Sequence, residues 1–127
     1  MRRIFHCTVA FVTLRGGSWC GNNNENVLLT ISVANPKMPR LLQTDTVVTP
    51  YGLAVRDSLL YIANENAGFT LFRIESDTNP EPVKSWMLPH SKDFIWKNDI
   101  LFVMGFDRID IMKVTDPYEP VLISTIR

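Results

Sequence analysis

Three segments of this chain repeat one pattern, an apolar strand end running into an Asn-Pro or Asp-Pro turn: Val33-Ala34-Asn35-Pro36, Ile74 leading to Asn79-Pro80, and Val114-Thr115-Asp116-Pro117. The strand ends Val33, Ile74 and Val114 stand 41 and 40 residues apart. A period of that size holds one supersecondary unit, which cannot bury its apolar surface alone and must stack on its neighbours. The repeat therefore limits the chain to a stacked architecture before any single residue is considered.

The units align strand by strand. At an offset of 41, Leu59-Leu60-Tyr61-Ile62-Ala63 falls on Ile100-Leu101-Phe102-Val103-Met104, and Leu53-Ala54-Val55 falls on Phe94-Ile95-Trp96. Between these pairs lie Arg56-Asp57-Ser58 and Lys97-Asn98-Asp99, polar triplets of the kind that close tight hairpins. A third strand follows in residues 69–74 and 109–114, matched more loosely by 28–33. Next come the turns Asn35-Pro36-Lys37-Met38-Pro39, Asn79-Pro80-Glu81-Pro82 and Asp116-Pro117-Tyr118-Glu119-Pro120, each leading into a fourth strand at 41–48, 83–88 or 121–126. Proline cannot donate to a ladder, which places the fourth strand at the edge. Strands one and two are almost wholly apolar while strands three and four admit Arg73, Lys113, Arg40 or Lys84, so each sheet is expected to run from a buried inner strand to a peripheral outer one.

This order is that of a β-propeller blade. The predicted fold is all-β, a β-propeller fragment of about three four-stranded antiparallel blades in one domain, 1–127. Blade 1 is partial over 4–48 and lacks its innermost strand; blades 2 and 3 occupy 50–88 and 91–127. Three blades are too few for a ring, which takes roughly four to eight, so missing blades of a longer parent chain, or self-association, are the expected partners.

Composition excludes several function classes. Thirteen Lys and Arg balance thirteen Asp and Glu, without the basic patch that a nucleic-acid binder needs. The longest wholly apolar stretches, 59–63 and 100–104, fall far short of the roughly 18 residues of a membrane-spanning helix. Met1-Arg2-Arg3 followed by the apolar run 4–14 imitates a signal peptide. His6 and Thr8 interrupt that run, and Ala10-Phe11-Val12 matches Leu60-Tyr61-Ile62, so it is read as a strand. Cys7 and Cys20 fit either a disulfide in an exported protein or two free thiols in a cytosolic one.

The sequence resembles the LVIVD-repeat proteins, bacterial and archaeal surface or periplasmic proteins. The likeness is carried by Ala10-Phe11-Val12-Thr13-Leu14-Arg15, Pro50-Tyr51-Gly52-Leu53, Leu60-Tyr61-Ile62-Ala63 with Gly68, and the Asn-Pro and Asp-Pro turns. It implies a β-propeller and export to the periplasm or cell surface, with a lipoprotein signal in the parent chain as one route. One departure is clear: the family motif tends to end its third strand on an aspartate, where Ser32, Arg73 and Lys113 stand here. The resemblance brings no catalytic residue and no cofactor.

In a blade, the loops between strands two and three share one end of the disc with the connections between fourth and first strands, where propeller ligands bind. That end is expected to collect the loops 15–26, 64–67 and 105–108 with the connections Thr49-Pro50 and Pro89-His90-Ser91. From Phe11 to Tyr61 is 50 residues where the period is 41. The excess lies in Gly16-Gly17-Ser18-Trp19-Cys20-Gly21-Asn22-Asn23-Asn24-Glu25, and an insertion on one loop of a repeat commonly marks a binding face. The candidate contact residues are Trp19, Asn22, Asn23, Asn24, Glu25, Glu65, His90, Asp107 and Arg108.

No metal site is expected. The asparagine run supplies one carboxylate, too little for calcium, and His6 and His90 lack a second ligand at zinc spacing. A Cys7–Cys20 disulfide requires the inserted loop to fold back until the Cα atoms lie within about 7 Å. Cys20 has no neighbouring base to activate it. The aromatic residues Trp86, Trp96, Phe94, Phe102 and Phe106 are expected to pack between blades.

These residues fit a non-catalytic binding or scaffolding module with a protein or saccharide as ligand, and the resemblance implies that it belongs to an exported cell-envelope protein. The alternative is a propeller hydrolase or lyase acting on a saccharide or similar exported substrate, with Glu65, Asp93 or Asp107 as carboxylates; it requires an acid and a base within about 10 Å of each other.

Overall fold

The computed structural model describes residues 8–16, 26–75, 79–88 and 91–127. These form eleven strands, β1 (Val9–Leu14), β2 (Val27–Ser32), β3 (Arg40–Thr46), β4 (Leu53–Arg56), β5 (Leu59–Ala63), β6 (Phe69–Glu75), β7 (Asn79–Trp86), β8 (Asp93–Lys97), β9 (Ile100–Met104), β10 (Ile109–Lys113) and β11 (Val121–Ile126). They make three antiparallel sheets in the orders β1-β2-β3, β4-β5-β6-β7 and β8-β9-β10-β11, here called first, middle and last. The polar triplets close two-residue hairpins, with Arg56 paired to Leu59 and Lys97 to Ile100. Their leading residues Asp57 and Asn98 take φ of 55° and 54°, a left-handed conformation that Asp and Asn tolerate better than most side chains.

One irregularity recurs in all three sheets. The ladder between third and fourth strands shifts register at Thr30/Ile31, at Leu71/Phe72 and at Ile111/Met112, the same position of the repeat each time. A bulge inserts an unpaired residue and increases local twist. Its recurrence ties residues 28–33 to the other two units more firmly than their side chains do.

The core follows from the two-residue period of a strand. In β5 and β6, Tyr61, Ala63, Phe69 and Leu71 join Phe94, Leu101, Val103, Met112 and Val114 of the last sheet in one buried cluster. The alternate residues Leu60, Ile62, Phe72 and Ile74 join Leu28 in a second cluster, flanked by Phe11 and Val47. The middle sheet is thus covered on both faces, and Leu60, Tyr61, Ile62 and Ala63 are each 0% exposed. Between middle and last sheets the rings of Tyr61, Phe69 and Phe94 meet at 5.7 to 6.3 Å, while Trp86 stacks on Phe69 at 5.0 Å. Such pairs add about 0.5–1.5 kcal/mol each beyond the apolar area they bury.

Two expectations need correction. Asn79-Pro80-Glu81-Pro82, read as a turn, is the first half of β7, with Pro80 opposite Ile74 and Pro82 opposite Phe72. An edge strand accepts prolines because one side of its backbone has no partner to satisfy. Phe106, assigned to packing, is 80% exposed: it lies between β9 and β10, outside the alternation that buries strand residues. No helix of the described residues is long and apolar enough to cross a membrane.

Candidate functional site

The β5–β6 loop and the β7–β8 connection meet. Glu65 and Ser91 form an isolated antiparallel bridge, with each N–H donating to the other's carbonyl at 2.9 and 3.3 Å. Asn64 anchors the loop from within: it is buried, its Nδ2 donates to Val48 O at 2.5 Å, and its Oδ1 accepts from Thr70 Oγ1 at 2.8 Å. Glu65 is held at φ 53°, an unusual backbone for a non-glycine residue. Gly68 closes the turn at φ 87° against Trp86, whose carbonyl oxygen would lie 1.7 Å from an added Cβ.

The β3–β4 connection joins the same end. The N–H of Tyr51 donates to Ala63 O at 2.8 Å, and Thr13 Oγ1 of β1 donates to Tyr51 O at 2.6 Å. Gly52 donates to Lys92 O at 2.8 Å; a Cβ there would stand 2.7 Å from that oxygen and 2.3 Å from Asp93 Oδ1. A side chain at position 52 would force the two connections apart.

These backbones gather a polar and aromatic patch. Tyr51 Oη donates to Glu65 Oε2 at 3.0 Å, and Lys92 Nζ lies 3.4 Å from the same oxygen. The Arg15 guanidinium and the Lys92 ammonium lie 4.2 and 4.6 Å from the centroid of the Tyr51 ring, and Lys92 is also 5.6 Å from that of Phe106. The Tyr51 hydrogen bond, followed by that from Lys92, holds the Glu65 carboxyl below its usual range. The side chains of Lys92 and Glu65 remain 32% and 30% exposed, which leaves the stack open to a ligand.

Of the residues singled out from the sequence, Glu65 sits in this patch. Asp107 is exposed on the neighbouring loop. Arg108 points back into its own sheet, with Nε 3.1 Å from Asp110 Oδ2, while Asp110 Oδ1 accepts from Thr125 at 2.7 Å. Arg108 is a buttress of the loop. Trp19, Asn22, Asn23, Asn24, Glu25 and His90, with Cys7 and Cys20, lie outside the described residues. The base of the inserted loop is visible, and Gly16 N donates to Asn26 Oδ1 at 2.9 Å. Tyr51, Lys92 and Phe106 are contact residues that the sequence did not single out as such; Tyr51 and Lys92 directly follow the connections Thr49-Pro50 and Pro89-His90-Ser91, and that adjacency is the signal for them.

A second concavity lies at the hairpin end. A cleft of about 180 Å³ between middle and last sheets is lined by Arg56, Leu59, Tyr61, Trp96 and Pro117 among others. Arg56 stacks 4.5 Å from the Trp96 ring and donates to Asn98 O, and Tyr61 Oη donates to Pro117 O at 3.3 Å. Arg56 and the Tyr61 hydroxyl are thereby engaged, while the buried indole Nε1 of Trp96 has no hydrogen-bond partner among the described residues. Among the described residues no group of three or more His, Cys, Asp or Glu is placed to hold a metal ion. Comparisons of the chain with protein-family models, curated proteins and solved structures find no match.

Proposed function

We propose that the chain is a non-catalytic binding and scaffolding module of β-propeller type, part of an exported bacterial cell-envelope protein, and that its ligand contacts the end where Tyr51, Glu65, Lys92 and Phe106 converge. The observation that carries the reading is the Glu65–Ser91 bridge, which joins a strand-two-to-three loop to a fourth-to-first connection. The three antiparallel sheets, stacked face to face through two buried apolar clusters, support the propeller. Export rests on the resemblance to the LVIVD-repeat family.

The chemistry of the patch favours binding over hydrolysis. Glu65 is engaged by both Tyr51 and Lys92 and held below its usual range, whereas a general acid requires a carboxyl pushed up towards the working pH. An exposed phenyl ring beside a phenol, two cations and a carboxylate offers a stacking surface with donors and acceptors at its rim, suited to a saccharide or a protein loop.

The test is an amide-resonance titration of the labelled chain with a panel of soluble oligosaccharides. Shifts centred on residues 51, 65, 92 and 106, abolished by Tyr51→Ala combined with Phe106→Ala, are the expected result. Shifts confined to 56–58 and 96–99 would move the site to the hairpin end and refute this placement.

A further inference from the structure

The two end sheets each leave one apolar face uncovered. On the first sheet Ala10, Val12, Ile31 and Leu41 share that face through the pairs Ala10–Ile31 and Ile31–Leu41. On the last sheet Ile95, Phe102, Ile111 and Ile109 share the other, through Ile95–Phe102 and Phe102–Ile111. Val12 is 37%, Leu41 58% and Ile95 52% exposed. Contiguous apolar surface on that scale marks an interaction site.

The repeat identifies what each face is built to meet. Val12 and Ile31 occupy the positions of Ile62 and Phe72, which in the middle sheet pack towards the first sheet. Phe102, Ile109 and Ile111 occupy the positions of Tyr61, Phe69 and Leu71, which pack towards the last sheet. Ile95 is the counterpart of Ala54, which packs against that same cluster. The last sheet therefore ends on the face that receives a following sheet, and the first begins on the face that meets a preceding one. Both halves of one sheet-to-sheet interface are present on this chain, facing away from each other.

We propose that a second copy of this chain fills both faces head to tail, the open face of each last sheet packing on the open face of the partner's first sheet. Each copy offers the complementary pair, so the contact forms twice and closes by two-fold symmetry. Two copies stack six sheets, within the roughly four to eight of a closed propeller. The pairing rests on the observed order of sheets and is independent of any ligand at the loop end.

Light-scattering mass measurement on the purified chain, with two single variants and their mixture, tests this. Wild type is expected at twice the 14.5 kDa chain mass. Val12→Asp and Ile95→Asp, each damaging both contacts, should weaken association at least about 30-fold with an unchanged far-ultraviolet spectrum. An equimolar mixture of the two retains one undamaged contact and should return to the two-chain mass. If Val12→Asp unfolds, Leu41→Asp on the edge strand of the same face takes its place. A wild type at the one-chain mass throughout a concentration series overturns the proposal, as does a two-chain mass that either variant leaves intact, a mixture that fails to restore it, or polymers that grow with concentration.

Discussion

At the scale of the residue, the hydroxyl of Thr30 is buried in β2 with no hydrogen-bond partner among the described residues. Leaving such a group unpaired costs about 1–3 kcal/mol. Thr30→Val is therefore expected to raise the urea midpoint, gaining about 1 kcal/mol, and an unchanged or lower midpoint would show that the hydroxyl is satisfied. Tyr61 carries the opposite dependence on solvent. Burial pushes its phenol up from 10.0 to about 12, so folding favours the neutral form. That contribution is complete below pH 10 and is lost as pH rises towards 12; in Tyr61→Phe the alkaline fall in stability should be shallower. Glu65 works in the other direction. Its folded value is depressed, so its contribution is present above the ordinary carboxylate range and is lost as pH falls through the lower folded value. The ring resonances of Tyr51 should follow that titration in wild type and stay flat in Glu65→Gln. None of these three environments is written in the sequence locally, because each depends on which residue of a neighbouring strand or loop lies opposite.

At the scale of the element, the continuous apolar runs 59–63 and 100–104 and the polar triplets between strands pointed directly to the strand order and hairpins. Sequence reasoning failed where tertiary placement overrides composition. Prolines 80 and 82 signal a turn in isolation, yet β7 is an edge strand and absorbs both. Phe106 signals core in isolation, yet it stands in a loop, exposed beside Lys92. The candidate site was legible in outline, since the loops at 64–67 and 105–108 and the connections were placed at one end. Its chemistry was not, because Tyr51, Lys92 and Glu65 meet only once two connections from different sheets are bridged. Gly68 shows how closely the loop is held. Its φ of 87° and the Trp86 carbonyl 1.7 Å from an added Cβ make Gly68→Ala expected to cost about 1–3 kcal/mol in strain and to loosen the β6–β7 edge, visible as faster amide exchange in β7. An alanine variant as stable as wild type would show that the turn has an alternative geometry.

At the scale of the whole molecule, the repeat makes three sheets of similar build whose circumstances differ. The first and last are covered on one face, while the middle sheet is covered on both by clusters from its two neighbours. Stability should be distributed accordingly, since cooperative opening follows buried apolar contact. A cavity at Ile62 opens the cluster that the middle sheet shares with the first, and Ile62→Ala is expected to cost about 2–5 kcal/mol. The stacking of the three repeats, on which the loop-end site and the open end faces both depend, is tested most directly by native-state hydrogen exchange read residue by residue. The amides of β5 and the β5-facing amides of β6 are expected to be the slowest in the chain, exchanging only on global unfolding, with those of the outer strand β11 well ahead of them. Exchange of β5 as fast as that of β11 would contradict a middle sheet enclosed between its neighbours.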